Sequence, residues 1–249
     1  MIKVAVCGSN GKMGKEVIKA VNSASDMDLV AQIDIFNGQF TSIKDAKNSL
    51  DIDVLVDFTQ PASIYENALY CLNNNIAIVI GTTGLSDEQI IELRKLSSDK
   101  KVACLIAPNF STGAVLMMKF AQMASKYFDN AEIIELHHNQ KKDAPSGTAI
   151  KTAEMMSEVN NDFIKGNCAE KEVLEGSRGG VSYNNIHIHS VRMPGYIASQ
   201  EVLFGASGQI LTIRHDSMNR ECYMPGVLMA IRHVFENKNF VYGLENIME

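Results

Sequence analysis

From Met1 to about Pro108, short apolar runs take turns with stretches of helical periodicity. No other feature narrows the fold as much. The apolar runs lie at 2–7, 29–35, 54–58, 77–80 and 102–106. Helices are expected between them, one carrying Val17, Ile18 and Val21 and others over 63–73 and 86–98. Short apolar strands separated by helices pair in parallel, with both sheet faces covered. The expectation is an α/β chain with a Rossmann-like doubly wound parallel sheet.

Ligands on such sheets sit beyond the C-terminal strand ends. Each strand end here carries candidate groups: the glycine loop after Cys7, Asp34, Asp57-Phe58-Thr59-Gln60-Pro61, Gly81-Thr82-Thr83-Gly84 and Ala107-Pro108-Asn109-Phe110. The loop Gly8-Ser9-Asn10-Gly11-Lys12-Met13-Gly14 reads Gly-x-x-Gly-x-x-Gly, with Asn10 where the usual dinucleotide fingerprint has its second glycine. It follows a strand, opens a helix and precedes Asp34 by roughly 20 residues. A carboxylate at that place accepts from both ribose hydroxyls of NADH and repels a 2′-phosphate. Ile35 comes next, so no arginine offers that phosphate a partner, and Lys12 is the one substitute nearby. The other role for Asp34 is a strand-end turn. No Gly-Lys-Ser/Thr follows the loop, which argues against a P-loop.

From Phe110 to about Asp216 the pattern changes. A helix is expected over 113–128, a strand over 131–136, then a basic loop and a helix carrying Ala149, Ile150, Ala153 and Met156. A polar segment, 160–185, precedes three strands at 186–192, 199–204 and 209–215, joined by Pro194-Gly195 and Gly205-Ala206-Ser207-Gly208. This reads as a smaller α+β domain with a mixed or antiparallel sheet, suited to substrate binding and oligomerisation. A last apolar helix starts near Pro225 and is expected to pack back on the first domain. The expected domains are 1–108, completed by 217–249, and 109–216.

The basic loop runs Glu135-Leu136-His137-His138-Asn139-Gln140-Lys141-Lys142-Asp143-Ala144-Pro145-Ser146-Gly147-Thr148-Ala149. A helix start carries unpaired amides and partial positive charge. Ser146 suits the cap, but Ala149 stands where a capping box needs Glu or Gln. The amides of Gly147 and Thr148 are then open to a carboxylate or phosphate, and Gly147 permits close approach. Lys141 and Lys142 add full charges. Adjacent residues of an extended segment point opposite ways, so His137 and His138 do not suit one metal ion. His187 and His189 share a strand face without a Cys or carboxylate at zinc spacing, and no metal is expected. A dinucleotide domain beside an imidazole, an ammonium and an anion-binding helix start implies hydride chemistry on a carboxylated molecule. Histidine suits the accompanying proton transfer near neutral pH.

Composition bounds the partners. The net charge of −6 argues against nucleic acid. No apolar run approaches the roughly 20 residues of a membrane helix. The chain starts directly with a strand, without a signal peptide, and Cys7, Cys71, Cys104, Cys168 and Cys222 are an odd, scattered set. Reduced thiols in the cytoplasm fit best.

At these residues the chain resembles the bacterial 4-hydroxy-tetrahydrodipicolinate reductase (dihydrodipicolinate reductase) family of the diaminopimelate route to lysine. The resemblance rests on the segment Glu135 to Ala149, supported by Val6-Cys7-Gly8, Gly11-Lys12-Met13-Gly14, Asp57-Phe58-Thr59, Gly81-Thr82-Thr83-Gly84, Asn109-Phe110-Ser111 and His189-Ser190-Val191-Arg192. These span most of the chain, and the His-His to Ser-Gly-Thr motif is highly specific. The resemblance implies His137 as proton donor and acceptor and Lys141 as the second catalytic group. It implies that His138, Ser146, Gly147 and Thr148 hold the carboxylates of a small cyclic dicarboxylate. It implies a cofactor cradle of Gly8, Ser9, Asn10, Gly11, Lys12, Met13, Asp34, Gly81, Thr82, Thr83, Ala107, Pro108, Asn109 and Phe110, and a homotetramer assembled through the second-domain sheets. The family often carries arginine after the ribose acid, and some members carry it where Gln60 stands. Both charges are missing here, so NADH should serve at least as well as NADPH. The residues alone imply an NAD-dependent reductase of an anionic small molecule. The alternatives are another two-domain amino-acid or diaminopimelate dehydrogenase, or a non-catalytic dinucleotide sensor.

Overall fold

The computed structural model describes residues 1–164, 169 and 171–248. In chain order the first elements are β1 (Ile2–Cys7), α1 (Lys12–Ser23), β2 (Met27–Ile33), α2 (Ile43–Ser49), β3 (Val54–Asp57), α3 (Pro61–Asn73), β4 (Ala77–Ile80), α4 (Asp87–Lys100) and β5 (Cys104–Ile106). Then follow α5 (Thr112–Ala124), β6 (Asn130–His137), α6 (Gly147–Ser157), β7 (Gly180–Val181), β8 (His187–Arg192), β9 (Ala198–Ala206), β10 (Gln209–Ser217), α7 (Met224–Glu236) and β11 (Phe240–Tyr242). Two compact units result. One is Met1–Thr112 with the chain from Arg220 onward, and the other is Gly113–Asn219.

The first unit holds a six-stranded parallel sheet in the order β11-β5-β4-β3-β1-β2. Every residue of β3 and β4 is buried, as a parallel sheet covered on both faces requires. Helix starts follow local chemistry. Ser86 and Gln89 form a capping box at α4, and Pro61 occupies the first turn of α3. Helix α7 packs on β3, β4, β5 and α1, so the returning chain completes this unit. Helix α2 and strand β11 are additions to the sequence reading. Each is too short for its periodicity to stand out; α2 is held by Ser42, whose side chain caps Asp45 N. Strand β2 ends at Ile33 rather than at 35. Asp34 N donates to Phe40 O at 3.0 Å and Asp34 Oδ1 accepts from Phe36 N at 2.9 Å, so the chain turns there.

The second unit holds a five-stranded sheet in the order β10-β9-β6-β8-β7. It is mixed: β6 and β8 run parallel, and the remaining pairs are antiparallel. Its core joins Ala121 and Ala124 of α5, Ala149, Ala153 and Met156 of α6, and Ile133, Ile188, Val202 and Phe204 of the sheet. Helix α5 stops at Ala124, short of 128. Asn160 Nδ2 takes up the carbonyls of Ser125 and Phe128, which supports the turn that follows. Strands β9 and β10 are longer than their apolar cores suggest, because a two-residue turn at Ser207-Gly208, with Gly208 at φ +76°, carries the ladder to its tip.

Candidate active site

Strand β6 aims at the second unit's chemistry. Its alternation puts Ile133 and Glu135 on the face covered by the helices, both wholly buried. Glu135 Oε2 contacts His137 Nδ1 at 2.5 Å and accepts from Arg192 Nη1 at 2.8 Å. Its Oε1 accepts from Arg192 Nη2 at 2.7 Å and from Ser146 N at 3.2 Å. Burial by itself would push this carboxyl up. The hydrogen bonds from His137, Arg192 and Ser190 together outweigh burial and hold it at about 2.

The loop after β6 is pinned at several points. Lys141 N donates to His138 O at 3.2 Å, and Gln140 N donates to His138 Nδ1 at 3.2 Å. Lys141 Nζ is paired with both oxygens of Asp143, at 2.9 and 2.8 Å. That hydrogen bond holds the Asp143 carboxyl below the usual carboxylate range. Arg192 Nη2 also reaches Asp143 O at 2.8 Å, which ties the loop to β8. Helix α6 opens with Ser146, whose Oγ accepts from Ala149 N at 3.1 Å. Gly147 is exposed, and among the described residues, its chain neighbours and own helix backbone aside, no atom lies within 4 Å of the place a Cβ would occupy. Thr148 follows on the first turn, and its carbonyl accepts from Thr152 Oγ1 at 2.7 Å.

In the first unit a cleft of about 490 Å³ opens beyond the strand ends. Gly11, Lys12, Met13, Gly81, Thr82 and Thr83 line it. Gly8, Ser9, Asn10, Asp34 and Ala107 to Phe110 stand outside its wall. Asn10 N nevertheless donates to Asp34 Oδ2 at 3.0 Å, so the carboxylate is bound to the glycine loop. The Asn10 side chain donates to Phe36 O, which gives this asparagine a task where the fingerprint has glycine. Gly8, at φ +78°, sits against the Phe58 carbonyl, 2.5 Å from where a Cβ would stand. Buried Asp57 organises the neighbouring strand end. It accepts from Thr59 N at 2.9 Å, Thr59 Oγ1 at 2.6 Å, Asn67 Nδ2 at 2.8 Å and Thr82 Oγ1 at 3.0 Å. Phe110 packs its ring on Phe58, and Asn109 Oδ1 accepts from Ser111 N at 2.8 Å.

Residues 2–110 match the family model described as dihydrodipicolinate reductase, N-terminus, and residues 113–248 match dihydrodipicolinate reductase, C-terminus. The chain belongs to the dihydrodipicolinate reductase family. It is 49% identical over 269 residues to the 4-hydroxy-tetrahydrodipicolinate reductase of Gloeothece citriformis (strain PCC 7424), covering 99% of this chain and 98% of that one. A dipicolinate-bound dihydrodipicolinate reductase from Paenisporosarcina sp. TG-14 superposes with a TM-score of 0.92 at 47% identity, over 100% of both chains. A probable dehydrogenase from Thermotoga maritima, at 11% identity and a TM-score of 0.67, shares the fold alone.

Three features of this dihydrodipicolinate reductase family member escape a reading of the sequence. Arg220 lines the first unit's cleft, although it lies more than 200 residues from the glycine loop. Glu135 and Arg192 lie within motifs that mark the family, but only the register of β6 beside β8 brings them together; no local pattern signals the pair. His187 and His189 go to separate partners: His187 Nδ1 donates to Arg178 O at 2.7 Å, and His189 Nε2 meets Glu132 Oε2 at 2.7 Å. Among the described residues, no group of three or more His, Cys, Asp or Glu is placed to hold a metal ion. No helix among them is long and apolar enough to cross a membrane. Cys7, Cys71 and Cys104 are buried, and burial pushes their thiols up, to about 12 for Cys104. Cys222 is half-buried, and Cys168 lies outside the described residues.

Proposed function

We propose that this reductase converts 4-hydroxy-tetrahydrodipicolinate to tetrahydrodipicolinate with a nicotinamide dinucleotide, the reduction step of diaminopimelate and lysine biosynthesis. The observation that carries the reading is the close grouping at the mouth of α6. An oriented imidazole (His137), a lysine (Lys141) and an exposed glycine at a helix start (Gly147) stand on one strand–loop–helix segment. That set suits a small anionic substrate that needs a proton as it is reduced.

The first unit's residues fit a dinucleotide. Gly8 leaves no room for a side chain beside Phe58, Gly11 to Met13 and Gly81 to Thr83 line one cleft, and Asp34 is bonded to the glycine loop. These residues would hold the cofactor, with Asp34 on the ribose hydroxyls. A bound nicotinamide supplies the hydride. The chain's own part is to bind the dicarboxylate and move the proton. His138, Ser146, Gly147 and Thr148 bind carboxylate. His137 delivers the proton from Nε2, the nitrogen not committed to Glu135. Lys141 stabilises developing negative charge, handing its ammonium from Asp143 to the substrate. A homotetramer built through the second unit's sheet and a cytoplasmic location complete the reading.

The test is coupled turnover of freshly made substrate with NADH and NADPH in parallel. NADH should support turnover at least as well, because Ile35 and Gln60 bring no charge for a 2′-phosphate. A large NADPH advantage at equal concentration would refute the cofactor assignment, and no oxidation of either cofactor would refute the activity. Lys141→Ala should lower kcat and raise substrate KM together, since it removes charge from both ground and transition states. Unchanged kinetics would contradict its role.

A further inference from the structure

We propose that Glu135 is a positioning residue that sets which nitrogen of His137 works, and that it fixes the mouth of α6 in the same act. This rests on His137 being the proton donor. Glu135 is a buried carboxylate of the second unit that binding and proton transfer as described do not use.

The surroundings of Glu135 are built to keep it charged and committed. From β6 it faces His137; from β8, Arg192 and Ser190; from α6, the amide of Ser146. Gln200 of β9 is its cross-strand neighbour and spends its amide on Thr152 Oγ1 at 2.7 Å, while His215 of β10 lies one strand further across. Lys141 and Asp143 lie beyond Arg192, which holds Asp143 O. A buried carboxylate is costly unless its lone pairs are met, and here both oxygens are. The Arg192 fork supplies the counter-charge, so the carboxylate stays an acceptor only.

An acceptor-only partner at 2.5 Å dictates the histidine tautomer. His137 Nδ1 must carry a proton whenever the contact exists, which leaves Nε2 to give and take the catalytic one. Glu135 Oε1 meanwhile holds Ser146 N, the residue that caps α6. One side chain therefore references the proton donor and the anion-binding turn to each other. Because reacting groups must be placed within a fraction of an ångström, a shared anchor has kinetic value.

The test uses the full chain labelled with ¹⁵N-histidine, with Glu135→Gln beside the native protein. In the native protein the neutral His137 ring should show its proton on Nδ1. In E135Q the single tautomer should give way to a mixture. Its kcat should fall about 10- to 100-fold while NADH affinity, measured by fluorescence, stays within about 3-fold. The acid stability of the two should also differ. A carboxyl held at about 2 rather than the ordinary 4.5 contributes stability that is present above pH 4.5 and lost as pH falls toward 2, and E135Q should lack that loss. A native His137 protonated on Nε2 alone overturns the proposal even where E135Q does not fold. So does a folded E135Q with native kcat. If His137→Ala is inactive and E135Q is not impaired, the positioning role fails alone; if His137→Ala is fully active, the reading beneath it fails.

Discussion

Replacing His137 with alanine should lower turnover by about 100-fold or more, with NADH binding unchanged. The separation follows from where the residue lies. His137 ends β6 in the second unit, while the glycine loop, Asp34 and the Thr82 cleft belong to the first. Removing the ring takes away the proposed proton source and leaves every residue of the proposed cofactor cradle in place. Glu135 keeps its bonds from Arg192 and Ser146 N in this variant, so the mouth of α6 stays anchored and the loss reports on the ring itself. Steady-state kcat and a fluorescence titration with NADH decide the matter. A variant that binds NADH normally, in a native protein with no turnover to lose, would mark a dinucleotide sensor rather than an enzyme.

The second large effect should come from Gly14→Ala. A Cβ at Gly14 would stand 2.1 Å from Gly8 O, 2.8 Å from Ser9 Cα and 2.9 Å from Gly8 C. All three are backbone atoms of the glycine loop, and Gly14 is buried in the first turns of α1. No flexible side chain end can yield. Either α1 lifts from the loop or the loop leaves the place in which Asn10 N reaches Asp34. Overpacking of this kind costs about 1–3 kcal/mol. For a chain of this length that corresponds to roughly 2–4 °C in Tm per kcal/mol. NADH affinity should fall at least about 10-fold, because the loop's amides and the Asp34 carboxylate shift relative to each other. A thermal melt and an NADH titration check both parts. Native Tm together with native affinity would mean that the helix does not press on the loop as described.

How much of this was legible beforehand depends on the range of the interactions. The alternation from Ile2 to Ile106 was readable because each strand and helix announces itself within a dozen residues. The cap at Ser146 and the proline at the start of α7 were readable for the same reason. Element ends were less so. Strand β2 stops where Asp34 bonds Phe40, and α5 stops where Asn160 arrives from 35 residues away. That β6 pairs in parallel with β8 in particular was not legible in a unit read as mixed or antiparallel, since register is a property of two strands and not of either.

By itself, then, the order of residues determined the fold class, the strand-end location of the candidate groups and the family, because periodicity, turn chemistry and a contiguous motif are local. It placed His137, Lys141 and Ser146 in one segment. Only the folded chain decided that Glu135 and Arg192, 57 residues apart, close on each other beneath that segment, and that Arg220 joins a cleft made by the first 83 residues. The physical reason is that burial removes water as a partner. A carboxylate with no solvent must find its donors wherever packing brings them, and sequence distance does not enter that search.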